Sequence, residues 1–456
     1  MTTANDVFRA LYQEIAGRGP EPDEAEILGT DPPLPGEFLV GPAAAACVAT
    51  MTLSAAELLY ARGTKPGQVT VDGRHAALAF GSERWLRVGD RPPVDVWAEL
   101  SGDYRAADGW VRLHCNYPRH AHAACRALSV PADRAAVAEA VSLRSAVEIE
   151  EGVLAAGGAA AAMRTSAEWR KHPAGRAAHT GPLVTLDRLD APARSRPLAD
   201  RPLAGIRVVE LTHVLAGPVC GRTLAAHGAD VLHVGAAHLP TVGQLVIDTG
   251  FGKRTTHLDL RSEVDTTTLR GLVADADVFV QSFRPGTLAT RGFGFEELAR
   301  MRPGIVAVQL SAYGHVGPWR SRRGFDSLVQ MASGIADDGA KAAGADRPVP
   351  LPFQALDHAT GWLAAAAVCT ALRRQAADGG SWLVRLSLAR VAAWLDDLGR
   401  QPAAPVGEPV MPTELATTDS PFGRLTYLPI PGDLPAAPPR YGHAPHLPGS
   451  DPAAWW

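Results

Sequence analysis

The sequence predicts an α/β protein: a Rossmann-like domain built on an open parallel sheet, accompanied by a smaller α+β domain. Two observations carry this. From residue 203 onward, strand-type apolar runs alternate with helical segments. The order is IRVVEL (206–211), VCGRTLAAHG (219–228), ADVLHV (229–234), HLDL (257–260), a helix near 262–275, DVFVQSF (277–283), a helix near 295–301 and IVAVQLSAYG (305–314). Parallel strands need a crossover, usually a helix, so this alternation marks a parallel sheet covered on both faces. The second observation is the Pro/Arg stretch APARSRPLADRP at 191–202, a linker that separates this half from a different pattern.

Taken in order, residues 1–30 read as an N-terminal helix and an acidic connection. Residues 31–104 hold an Ala-rich helix over about 41–62, then the strand QVTV and a further linker. Residues 105–190 form the smaller α+β domain, with the strand DGWVRLH (108–114) followed by helical patterns around 119–128, 132–140 and 144–163. The run AAGGAAAA (155–162) reads as a helix end or loop. Residues 203–400 are the Rossmann-like domain and 401–456 a Pro-rich strap. A weak repeat links LPGEFLV…AAAACVATM (34–51) with LPFQALDHATGWLAAAAV (351–368), and in that alignment Val40 stands opposite Asp357.

The 456 residues suffice for two or three domains with hydrophobic cores. A net charge of −4 gives no general attraction to nucleic acid or an anionic membrane. No unbroken apolar run reaches the roughly 18 residues of a spanning segment, and the N-terminus lacks the apolar core of a signal peptide. Five scattered cysteines without a C-x-x-C pair imply reduced thiols in a cytoplasmic protein rather than disulfides or zinc.

The first βα turn, ELTHVLAGPVCG (210–221), is not G-x-G-x-x-G, which removes the main support for nicotinamide chemistry. Its Ala216-Gly217-Pro218 entry into a helix offers N–H groups and a dipole to a phosphate or thioester oxygen. Basic residues follow the later strands, among them Lys253, Arg254, Arg261, Arg284, Arg291, Arg320, Arg322 and Arg323. Such a set is either a solvated face or a polyphosphate site beyond the strand ends. Asp357 precedes an Ala-rich helix, where aspartate is a favoured N-cap. The helix dipole would also keep the carboxylate ionised there, as a carboxylate nucleophile requires, so capping and catalysis both remain open. His358 reads as a packing or capping residue. No G-x-S-x-G or H-E-x-x-H is present, and His114, His120 and His122 read as surface residues.

Several motifs in register carry a family resemblance. RPLAGIRVVELTHVLAGPVCGRTLAAHGADVLHV, GKRTTHLDL, ADVFVQSFRPGTLATRGFGFEEL, VQLSAYGHVGPWRSRRGFDSLVQMASG and ALDHATGWLAAAAV together resemble class III CoA-transferases of the CaiB/BaiF type, the family of formyl-CoA transferase and carnitine CoA-transferase. The resemblance implies Asp357 as the catalytic aspartate, with Asp326 and His358 in support. It implies coenzyme A contacts at His213, Val214, Leu215, Ala216, Leu258, Arg261, Ser282, Phe283, Arg291 and Arg323, no metal, acyl-CoA and a carboxylic acid as substrates, and a homodimer. Residues 31–190 also resemble the family, out of order: DGWVRLH…CRAL and TSAEWRKHPAGRAAHTGPLVTL resemble its small domain placed ahead of the sheet domain, and the segment before them carries the Asp-less copy with Val40, which implies a permuted, or fused and trimmed, version of the fold. Two departures stand out: HVGAAH (233–238) lacks the family's Lys-x-Glu, and its glycine-rich lid has no counterpart near 88–105. Two other functions fit the resemblance, an α-methylacyl-CoA racemase and a non-catalytic CoA-ester binder; Gly324-Phe325-Asp326 in place of G-H-D argues against the racemase.

Overall fold

The computed structural model describes residues 2–29, 34–91, 95–193, 196–404 and 411–456. Parts of the expected linker (194–195), of the 88–105 stretch (92–94) and of the Pro-rich tail (405–410) lie outside them. Its centre is a seven-stranded sheet of β1 (Thr185–Leu189), β2 (Arg207–Leu211), β3 (Asp230–Gly235), β4 (Lys253–His257), β5 (Val278–Gln281), β6 (Val306–Ser311) and β7 (Ser381–Ser387). The spatial order is β4-β3-β2-β5-β6-β7-β1. All neighbours pair in parallel except β1, which closes the β7 edge antiparallel. The chain winds outward from β2 to β4 and returns on the other side of β2 to start β5. That reversal opens a crevice beyond the carboxyl ends of β2 and β5.

The apolar runs form these strands because both faces of the sheet are covered. Alternate residues feed two cores: Val208, Val231, Val280 and Val308 on one face, Val209, Leu232, Phe279 and Ala307 on the other. The HLDL expectation is corrected by a few residues: the strand is Lys253–His257, and Leu258 lies just past its end.

The principal helices are α1 (Ala4–Ala16), α2 (Val40–Ala61), α3 (Pro118–Leu128), α4 (Ala216–Ala226), α5 (Glu263–Ala274), α6 (Asp326–Ser333) and α7 (Ala355–Asp378). Helix α5 covers the second face through Leu269, Leu272 and Val273. Helices α4, α7, α2 and α1 stack in succession over the first face. Helix α7 lies between α4 and α2. Its Ala364–Ala367 run and the Ala44–Ala46 run of α2 are completely buried, because small side chains let backbones approach closely. Gly361 marks the closest crossing: a Cβ there would lie 2.6 Å from the Ala216 carbonyl oxygen and 2.7 Å from Val219 Cβ. Helix α2 is long and apolar enough by length and composition to cross a membrane, contrary to the expectation from apolar runs alone, yet 89% of its apolar window is buried in this core. The repeat seen in the sequence recurs as structure: α2 and α7 are each followed by a strand and a short capped helix.

The small unit has its own core, with Val111, Leu113, Val141, Ile149 and Val153 between a three-stranded sheet and its helices. The Ala160–Ala162 segment, expected as a helix end or loop, is the third strand of that sheet, paired with Val111–Leu113. Alanine's helix propensity yields here because Gly157, at φ 89°, ends the preceding helix and the pairing buries all three residues. The tail contributes a hairpin (Ala416–Ser420, Gly423–Tyr427) that pairs with Arg87–Val88. It then crosses to β4, where Asp451 N–H donates to the Thr255 carbonyl at 2.9 Å.

Gly361→Val should force α4 and α7 apart and lower stability by about 1–3 kcal/mol. A urea titration measures this, and an unchanged midpoint would contradict the close crossing.

Candidate active site

A cleft of about 360 Å³ opens at the β2/β5 reversal. The turn after β2 supplies His213, Val214 and Ala216, and the turn after β5 supplies Ser282, Phe283 and Arg284. The segment after β6 adds Arg323 and Phe325, α7 adds Asp357, and the small unit adds Tyr117, Arg119 and His120. Asp357 is the only carboxylate among the lining residues.

The β2 turn is held in an unusual conformation. Val214 has φ 68°, a left-handed backbone that costs a β-branched residue on the order of 1–3 kcal/mol. Leu215 is buried and enters α4 without a side-chain cap. His213 N–H donates to Ser282 Oγ at 3.3 Å, and its ring meets Phe283 edge-on at 5.4 Å. Burial, with His233 and Arg119 adding, lowers the His213 pKa to about 4, so its ring is neutral at pH 7.

Beneath the turn, fully buried Glu210 meets Thr212 Oγ1 at 2.7 Å, His233 Nδ1 at 2.9 Å and Lys253 Nζ at 2.7 Å. His233 is the residue that opens the divergent HVGAAH segment. Lys253 also donates to the Pro218 carbonyl at 2.7 Å. Gly221 stands against the Glu210 carboxylate, where no side chain would fit. The basic set of the sequence therefore divides. Lys253 is structural, Arg254 is fastened to Asp230, and Arg322 reaches Glu150 and Glu151; Arg284 and Arg323 face the cleft.

The expected coenzyme A contacts also divide. His213, Val214, Ala216, Ser282, Phe283 and Arg323 line the main cleft. Leu258, Arg261 and Arg291 line an adjoining cavity of about 190 Å³, which shares His213, Leu239, Phe283 and Thr287 with the cleft. Arg261 pairs with Asp259 at 2.6 Å, and Arg291 donates to the Leu260 carbonyl at 2.6 Å. The result is one continuous run of surface from arginines at one end to a carboxylate at the other.

Asp357 is not the helix cap that its sequence position suggested. It is the third residue of α7, and Gln354 at the cap position makes no side-chain cap bond. Asp326, the first residue of α6, does the capping from outside: its Oδ2 accepts the Asp357 N–H at 3.0 Å. Asp326 is 1% exposed and also accepts from Gln330 Nε2, while Gln330 Oε1 accepts the Leu351 N–H at 2.7 Å. His358 is fully buried and lies outside the cleft lining. Its Nε2 is 3.0 Å from Glu83 Oε2, and its ring stacks on Phe80 at 5.6 Å. Burial raises the Glu83 carboxyl, but the charge and hydrogen bond of His358 outweigh this and hold it below the ordinary value.

The helix terminus does not set the direction of the Asp357 pKa shift. Burial raises its pKa well above the ordinary aspartate value, and the neighbouring charges of Asp326 and Glu83 raise it further. Burial raises Asp326 as well. Two buried acids this close resist carrying two charges, and that repulsion outweighs the helix dipole.

Sequence reasoning missed Glu83 and the small-unit wall. Glu83 carries no motif signal. His114 and His120, read as surface, are 4% and 1% exposed, and His114 stacks on Phe325 at 3.6 Å. Their density in the sequence was the available signal. Among the described residues no group of three or more His, Cys, Asp or Glu could hold a metal ion.

A doubly wound sheet with a buried carboxylate at its switch point defines a class of α/β proteins that bind ligands beyond their strand ends. Residues 203–404 match the model of CoA-transferase family III. An acyl-CoA transferase of Gibberella moniliformis is 30% identical over 80% of this chain and 73% of its own length. An acetyl-coenzyme A transferase of Hypoxylon pulicicidum is 39% identical over 43% of this chain, and the match covers 34% of that protein. A CaiB/BaiF family protein of Brucella suis is 28% identical over 42% of this chain and 55% of its own, with a TM-score of 0.39. The chain belongs to CoA-transferase family III.

Because folding raises the Asp357 pKa, its contribution to stability is full below the unfolded-state pKa and is lost as pH rises through the folded-state value. Asp357→Asn should therefore have a higher Tm than the parent at pH 7.5. The gap should narrow as pH falls toward the unfolded-state value of an aspartate. Paired melting curves across that range check this, and a lower Tm at pH 7.5 would contradict it. Asp326→Ala should cost about 1–3 kcal/mol by orphaning buried donors at the start of α7, whereas Asp326→Asn keeps an acceptor and should cost less.

Proposed function

We propose that the protein is an acyl-CoA:carboxylate CoA-transferase whose nucleophile is Asp357. The observation that carries this reading is the position of Asp357: 7% exposed, at the start of a rigid buried helix, and the only carboxylate lining a cleft at the sheet's switch point. Family membership supports the substrate class. The expected cytoplasmic location and homodimeric assembly belong to the same proposal.

In this reading the thioester end of an acyl-CoA enters the cleft, and the nucleotide end extends toward Leu258, Arg261 and Arg291. An Asp357 carboxylate oxygen attacks the thioester carbonyl carbon. The C–S bond breaks, and CoA leaves as a thiolate from a mixed anhydride. The thiolate attacks the aspartyl carbonyl of that anhydride, releasing the donor acid and forming an aspartyl-CoA thioester. An acceptor carboxylate attacks this thioester, giving a second anhydride and free thiolate. The thiolate then attacks the acceptor's acyl carbon and restores the Asp357 carboxylate. The raised pKa makes Asp357 a more basic, stronger nucleophile once ionised, at the cost of a smaller ionised fraction at low pH. Asp326 holds the start of α7 in place, and the Glu83–His358 pair supports it from behind.

Asp357→Asn should abolish transfer, leaving about 10⁻³ of activity or less, while CoA affinity stays within about threefold. Mass spectrometry after incubation with acyl-CoA and hydroxylamine should find a hydroxamate at Asp357. CoA binding without any adduct would identify a binding protein instead. The acidic limb of kcat/KM should lie above the ordinary carboxylate range. Asp326→Asn should move it to lower pH, because a neighbouring negative charge is removed.

A further inference from the structure

The small unit contributes a wall to the Asp357 cleft that the reading above does not use. Helix α3, of 11 residues, points its N-terminus into the cleft, with Tyr117, Arg119 and His120 on the lining. Tyr117 at its cap position makes no side-chain cap bond, and Pro118 has no N–H to satisfy. His120 is 1% exposed, yet neither of its ring nitrogens has a hydrogen-bond partner among the described residues. A buried imidazole without partners carries a desolvation cost that a ligand can remove. Tyr117 at 5.3 Å and Phe325 at 5.9 Å hold the ring edge-on on two sides.

Arg119 and Arg323 stand close enough to His120 to lower its pKa, after burial, to about 4, so the ring is neutral and offers one donor and one acceptor. Burial also lowers Arg323, with Arg284 and Arg119 adding to the effect. None of these three arginines is ion-paired among the described residues; Arg119 lies over the Tyr117 ring and Arg284 donates to the Ser321 carbonyl. Three guanidiniums without an ion pair among the described residues and a bare buried imidazole line the same cleft, and they are complementary to an anion.

We infer that Arg119, His120 and Arg323 form the subsite for the carboxylate of the acceptor acid, with His120 donating to one of its oxygens. The inference rests on the CoA-transfer reading and deepens it: the acid is selected by charge, by residues of the small unit and of the segment after β6, in the cleft that Asp357 lines. The competing source of the same anionic chemistry is a phosphate of CoA. That assignment is less favoured because a separate cavity holding Arg261 and Arg291 lies further along the groove, and because Asp357, the group the acid must reach, shares the cleft with His120.

Calorimetric titration of succinate, as probe acid, into the CoA-saturated full chain tests this. Titration of CoA alone gives the second arm. His120→Phe keeps a ring and removes both nitrogens. Arg119→Met alters an exposed side chain and tests the subsite even if the buried variant misfolds. Each should weaken succinate about tenfold with CoA affinity within about twofold, and His120→Gln should recover part of the loss. Unchanged succinate affinity in Arg119→Met, no succinate binding by the parent chain, or a loss of CoA affinity in its place would overturn the subsite. The hydroxamate assay separates the two readings: succinate binding intact without an Asp357 adduct sinks transfer alone, whereas an adduct with succinate binding indifferent to both variants sinks the subsite alone.

Discussion

Helix α7 is buried on every side from Ala355 to Leu372, and the site depends on that. A helix packed by α4 on one flank and α2 on the other cannot shift without opening both contacts. Its alanines and Gly361 permit the approach: the α4 backbone passes where any side chain at 361 would stand. Because α4 begins at the β2 turn, this crossing fixes Asp357 relative to His213–Ala216. A carboxylate held by close packing beside a closely packed turn is placed without further reorganisation.

The electrostatics follow from the same burial. Asp326 caps α7 from another helix and so places a second carboxylate beside Asp357. Capping stabilises the start of α7, while the proximity of charge raises the acid it holds. Glu83, brought by the N-terminal half, adds to that effect and is itself held by His358. The cleft that Asp357 lines also carries cations, contributed by both the sheet domain and the small unit. Three helices start at this cleft, α3, α4 and α7, and their dipoles favour negative charge there.

Much of the sheet domain was legible in the sequence, because its strands are buried on both faces and read as short apolar runs between helices. Asp357, Asp326, His213, Ser282 and Arg323 were likewise legible as members of local motifs. Glu83 and His120 were not. Each reaches the site across a long sequence separation, and neither sits in a motif whose spacing encodes a contact. His120 read as a surface residue because no acidic or cysteine partner stands near it at a suitable spacing. Its burial comes from Phe325 and from the packing of the small unit.

The sequence by itself determined most of the sheet domain's strands and helices and placed one carboxylate, Asp357, at the start of an Ala-rich helix, since periodicity, glycine and proline placement and motif order are local properties. Only the tertiary structure decided the state of that carboxylate. Capping, burial and like-charge neighbours come from α6 and from the segment around Glu83, and their combined effect reverses what a helix N-terminus alone would do to an aspartate. It also decided that the arginine-rich segments divide into structural pairs and cleft-facing cations, because the partner of each charge is set by the packing of distant strands and helices.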